Sequence, residues 1–220
     1  MKTAITDIYS QRQQLEDCLN LVNPKFTYRQ GTFESFLSEF DINYFSDVHR
    51  ELLTVKADSQ VVLSTTLDRS TSYGPCLRQT NQFDQFKAWI GMPNALFEQG
   101  VFSFTQALPS SPWPSNYFPE SSRLTDLEKE NIQKAGYAYL FGNSQLVASY
   151  KAVIEKLHAP FEVAVWAIEK IRIEAGSSLI IQGDLPAVLM VGELEIVEGG
   201  NITLYSPTNL TVQKLQKIKL

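Results

Sequence analysis

The feature that most constrains this chain is a repeat near its C-terminal end. Ala164, Trp166, Ile168, Ile171, Ile173, Gly176, Leu179 and Ile181 are followed 23 residues later by Ala187, Leu189, Val191, Leu194, Ile196, Gly199, Ile202 and Leu204. Apolar residues fall on apolar residues and glycine falls on glycine. The same spacing predicts a shorter third pass, with Leu210 and Val212 one period after Ala187 and Leu189. Within a pass the side chains alternate: Ile171 and Ile173 take one face, Lys170, Arg172 and Glu174 the other. That two-residue period belongs to a strand with one buried face. Glycine permits sharp bends at 174–176 and 198–200, and Gln182–Pro186 and Tyr205–Asn209 read as further corners. A single pass of strand, bend, strand and corner cannot bury its own apolar row. The next pass has to stack on it.

The outward positions agree with this alignment. The same shift brings Lys170 beside Glu193 and Arg172 beside Glu195, and opposite charges on adjacent strands favour that pairing. In this layout the segment resembles the right-handed parallel β-helix or β-solenoid class. The resemblance covers about a quarter of the chain and brings no catalytic signature with it. It implies two complete coils and a partial third. Leu215, Ile218 and Leu220 miss the shifted apolar positions, which a fraying or bending last coil would explain.

The expected fold class is therefore α+β, with N-terminal and central helices before a short parallel β-helix-like stack. Residues 1–160 form a mixed α/β region and residues 161–220 the stack. An amphipathic helix is expected over 4–22, from Ile5, Ile8, Leu15, Leu19 and Val22, and another from Phe33 to Leu53. Val55–Leu67 reads as a strand or hairpin turning at Asp58-Ser59-Gln60. Aromatic residues between Asn81 and Leu108 suggest a short helix, a turn at Gly91–Asn94 and a strand. Thr125-x-x-Glu128 is a capping box opening a helix that carries Leu127, Ile132, Ala135, Tyr139 and Leu140 inward. A turn at 141–144 leads to a second, antiparallel helix ending at His158.

Composition narrows the choice of function. A formal charge of −5 without a basic tract makes nucleic acid an unfavourable partner. No stretch reaches the roughly 20 apolar residues that span a bilayer. The opening residues lack the apolar core of a secretory signal, so the cytoplasm is the expected location, with signal-independent release as the other route. Asn201-Ile202-Thr203 and Asn209-Leu210-Thr211 match a glycosylation pattern, but turn preference explains both asparagines. Cys18, Cys76, His49 and His158 do not make a metal set, and no phosphate loop, dinucleotide fingerprint or serine elbow is present. No cofactor or metal is expected. His49 is expected to serve packing or a boundary.

Asp68, Glu193 and Glu195 are the candidate catalytic carboxylates, the last two as an outward pair resembling a glycan-cleaving arrangement. Trp113, Tyr117 and Phe118, held in the proline-rich run Leu108–Pro119, are the candidate binding residues. The sequence favours a non-catalytic assembly or protein-interaction module, in a homo-oligomer or with another protein. The alternative is a carbohydrate-binding protein or a polysaccharide-active enzyme.

Overall fold

The computed structural model describes residues 32–66, 73–98, 111–113, 120 and 123–219. Its elements are helices and sheets of mostly parallel strands, an α+β arrangement. Helix α1 (Phe33–Glu39) comes first, then strands β1 (Leu53–Val55), β2 (Gln60–Ser64) and β3 (Cys76–Thr80). Helices α2 (Phe83–Ile90), α3 (Asn94–Glu98) and α4 (Asp126–Phe141) follow. A 3-10 turn (Ser144–Tyr150) leads into α5 (Lys151–His158). The chain ends in β4 (Phe161–Ile173), β5 (Ser178–Gln182), β6 (Ala187–Val197), β7 (Asn201–Leu204) and β8 (Thr208–Ile218). The helix expected over 4–22 lies outside the described residues.

One sheet has the parallel order β1-β4-β6-β8, with β3 antiparallel to β4. The other has the parallel order β2-β5-β7. Between β4 and β6 the partners are Ala164 with Ala187, Trp166 with Leu189 and Ile171 with Leu194, the 23-residue shift of the repeat. Between β6 and β8 the shift is 21: Ala187 meets Thr208, Leu189 meets Leu210 and Leu194 meets Leu215. The expected pairing of Ala187 with Leu210 is thus corrected by two residues. The cause is the corner after β7, which takes four steps from Leu204 to Thr208 where the previous corner takes six from Ile181 to Ala187. A two-residue shift keeps every side chain on its face. Leu215 and Ile218 then stand opposite Leu194 and Val197, so the decay of the repeat was a deletion in the corner.

A further pass lies well upstream. Leu53 and Val55 pair with Ile171 and Ile173, and Val61 and Leu63 with Leu179 and Ile181. These strands precede residue 160 and pair with strands beyond it. Asp58, Gly176 and Gly199 occupy the same corner of successive passes, all at positive φ (54°, 69° and 88°). Glycine takes that conformation without a Cβ penalty, and aspartate is among the few other residues that tolerate it. Of the expected strand or hairpin the structure has strands: β1 and β2 do not pair as a hairpin, because each adds to a different sheet. The expected long helix over Phe33–Leu53 is likewise corrected. It stops at Glu39, where Asp41 takes φ 51° and the Asp47 carboxylate accepts from the Asn43 N–H at 3.1 Å. Local side-chain bonding of this kind competes with helix.

β4 explains how one strand serves two cores. Ala164, Trp166, Ile168, Ile171 and Ile173 enter an aliphatic core with Leu179, Ile181, Leu189 and Leu194 from both sheets. Phe161, Val163, Val165 and Ala167 face the other way, into a cluster with helix residues. The run from Phe161 to Ile168 is almost wholly apolar because both of its faces are buried. Beyond Glu169 and Lys170 the facing changes, and only one face is covered.

The helical cluster is aromatic. Phe161 stacks on Phe83 and Phe86, both at 5.0 Å between ring centroids, and Phe40 stacks on Trp89 at 5.5 Å. The capping box is present: the Glu128 N–H donates to Thr125 Oγ1, and the Glu128 carboxylate accepts from the Thr125 N–H at 2.7 Å. Leu127, expected inside, is exposed on the first turn of α4, while Ile132, Ala135 and Tyr139 are buried. Lys87 of α2 is buried with its ammonium at the end of α4, donating to Tyr139 O at 2.6 Å and Gly142 O at 2.7 Å. These carbonyls lack intrahelical partners, so a buried cation there satisfies them and the helix dipole together.

Candidate association surface

The outward face of β4, β6 and β8 carries a ladder of charge. Lys170 Nζ lies 3.1 Å from Glu193 and 2.9 Å from Glu195, and Arg172 lies 3.1 Å from Glu195 and 2.7 Å from Glu174. Lys214 on β8 reaches Glu193 at 2.6 Å, and Gln216 donates to the same carboxylate at 2.8 Å. Along the column Lys170, Glu193, Lys214 each level reverses the sign of the one before it, while the neighbouring column Arg172, Glu195 ends in the neutral Gln216. Hydrogen bonds from Lys214 and then Lys170 hold the Glu193 carboxyl below its ordinary value, and the Lys170 bond does the same for Glu195. A glycosidic general acid needs a raised pKa instead. These two candidate carboxylates are therefore engaged in cross-strand pairing. Asp68 lies outside the described residues.

The edges of the large sheet differ. On one side β4 is met by β3 over Phe161–Val165, by His49 at Ile168, and by β1 over Ile171–Ile173. His49 joins through its backbone, its N–H donating to Ala167 O and its carbonyl accepting from Glu169, both at 2.9 Å. On the other side β8 is the last strand, pairing only with β6 among the described residues. The apolar rows run out there. Leu189 and Leu194 are buried, whereas Leu210 and Leu215, directly opposite them, are 37% and 42% exposed. Lys217 stands opposite Ile196, at the end of the row Val55, Ile173, Ile196.

Of the proline-rich run, residues 111–113 are described. Trp113 is half-buried and packs against the aromatic cluster, and the Ser111 N–H donates to Ser149 Oγ at 3.2 Å. Tyr117 and Phe118 lie outside the described residues. An apolar cleft of about 220 Å³ opens between α2, α4, α5 and Phe161, walled by Phe83, Phe86, Ile132, Leu140 and Ile154. Such walls suit an apolar group without orienting one.

Among the described residues no group of histidine, cysteine and acidic side chains could hold a metal ion, and no helix is long and apolar enough to cross a membrane. Sequence reasoning missed Leu210, Lys214, Leu215 and Lys217 as a surface, because a fixed 23-residue period displaces every residue of β8 from its partner. Comparisons of the chain with family profiles, with curated proteins and with solved structures returned no match.

Proposed function

We propose that the parallel passes make a short β-solenoid-like stack, and that the protein is a non-catalytic association module whose last pass accepts a strand from another chain. One observation carries this reading: β8 offers an 11-residue edge whose core-row leucines, Leu210 and Leu215, are exposed where their partners one strand back are buried. Long sheet edges are normally paired, covered or blunted. Strand addition draws affinity from main-chain hydrogen bonds and specificity from alternate side chains. An incoming strand would complete both rows and return the two leucines to the environment of Leu189 and Leu194. Trp113, half-buried against the helices, plays a structural part in this reading, so the association surface is the edge of β8.

Light scattering over a range of concentrations, with affinity purification and mass spectrometry, tests the proposal. A defined complex should form, and the double variant Leu210→Asp/Leu215→Asp should lose it while keeping its far-UV circular dichroism. Association that survives the double variant rejects the proposal, as does a monomer that recovers no partner.

A further inference from the structure

We infer that the strand received by β8 belongs to a different protein and carries carboxylates on its outward face; this rests on the strand-accepting role proposed above. The ladder supplies the reason. Lys170 on β4 meets two carboxylates of β6, Glu193 and Glu195, with its side chain 37% exposed. Lys214, one level beyond, touches Glu193 on one side and has its side chain 61% exposed. The column Lys170, Glu193, Lys214 runs basic, acidic, basic, so its next level in the same pattern is acidic. An aspartate or glutamate opposite Lys214 would flank this ammonium from both neighbouring strands, as Glu193 is flanked by Lys170 and Lys214.

Lys217 sharpens the requirement. It stands at the end of a row that is otherwise Val55, Ile173 and Ile196, so an added strand must set a residue beside an ammonium there. A carboxylate or a polar side chain suits that position and an aliphatic one does not. Over Leu210 and Leu215 the same strand needs apolar residues. The chain as a whole is acidic, at −5, yet Gln213–Lys219 contains Lys214, Lys217 and Lys219 and no acid. A second copy pairing through its own β8 would offer Lys214 and Lys217 no carboxylate, because Thr208–Ile218 holds none, and wherever lysines faced one another the like charges would be destabilising. The lysines that blunt self-pairing thus select a partner of opposite sign.

The test uses the full chain and three end-blocked synthetic peptides of β8's length, 11 residues, with valine at the positions that face Leu210, Val212 and Leu215, glutamate, threonine or lysine at those that face Lys214 and Lys217, and threonine elsewhere, followed by fluorescence anisotropy. The glutamate–valine peptide should bind most tightly, and added salt should weaken it. Lys214→Gln should reduce that affinity by about fivefold, and Lys214→Gln/Lys217→Gln should reduce it further. Lys134→Gln, on α4, should leave it unchanged, and circular dichroism should show each variant folded. Equal binding of the threonine–valine peptide would overturn the acidic assignment while leaving strand acceptance intact. A homo-oligomer lost in Leu210→Asp/Leu215→Asp would do the same, in favour of a second copy. Failure of every peptide overturns the inference; a complex still lost in the leucine double variant would show that the association reading survives it.

Discussion

The two cores that share β4 are built by different means. Between the sheets, aliphatic side chains stand in rows set by backbone pairing, so Ile171 meets Leu194 and Leu194 meets Leu215. Between the large sheet and the helices, Phe83, Phe86, Phe161 and Trp89 pack as rings, with geometry set by their own shapes. The first core repeats and the second does not. A repeating core fixes where each residue sits before any contact is optimised. A ring cluster fixes it only through mutual fit.

The sharpest way to break the first core is Leu194→Asp. The side chain is 2% exposed in the middle of a row, and an unpaired carboxylate there should cost about 5 kcal/mol, enough to unfold a marginally stable domain. Near-unchanged denaturant unfolding would contradict its placement. In the second core, Phe161→Ala removes the ring on which Phe83 and Phe86 stack and should cost about 3–4 kcal/mol, read from the urea midpoint.

Lys87 offers a subtler probe of the helical core. Lys87→Met leaves the carbonyls of Tyr139 and Gly142 without its ammonium and should cost about 2 kcal/mol near neutral pH. Burial, opposed by Asp84, lowers the Lys87 pKa from 10.5 to about 8. Between those values the unfolded chain binds more protons than the folded one, so this group's contribution rises with pH across that window. The stability gap between wild type and Lys87→Met should widen from pH 8 to 10.5 in chemical denaturation.

The ladder on the sheet's outward face should give the smallest effect. Glu193 and Glu195 have pKa values held below the ordinary 4.5, so their contribution is complete above that value and is lost as pH falls through the lowered ones. Glu193→Gln should shift Tm slightly at pH 7, and the difference from wild type should shrink on acidification. A gap that grows in acid would refute the assigned pairing.

The same contrast explains what the sequence made legible. Rows of alternating residues repeat along the chain, so the β4–β6 register and its charge pairs could be read from spacing alone. Leu53–Leu63 carries the same spacing as Ile171–Ile181, with Asp58 in the glycine position, but 118 residues of separation and the aspartate hid it. The two-residue shorter corner before β8 hid which of its residues face β6 in the same way. In the aromatic cluster, no period tells which of Phe83, Phe86 and Trp89 meet Phe161. Leu127 continued the helical pattern, yet the first turn of α4 leaves it uncovered, a tertiary outcome that local spacing does not encode.

After β2 the chain, among the described residues, pairs with its sheets only at β3 before rejoining them at Phe161, and this detour has a kinetic consequence. Pairing β4 with β6, or β6 with β8, closes loops of about 20 residues, whereas pairing β1 with β4 has to bring together residues 118 positions apart, Leu53 and Ile171. Loop closure costs more entropy as the loop lengthens, and non-local pairings are slow to form. The C-terminal strands should therefore assemble among themselves before the early pass docks on them. Pulse-labelled hydrogen exchange during refolding should protect amides of β6 ahead of those of β1 and β2. Simultaneous protection would mean that the helices fold early enough to carry both ends of the detour together.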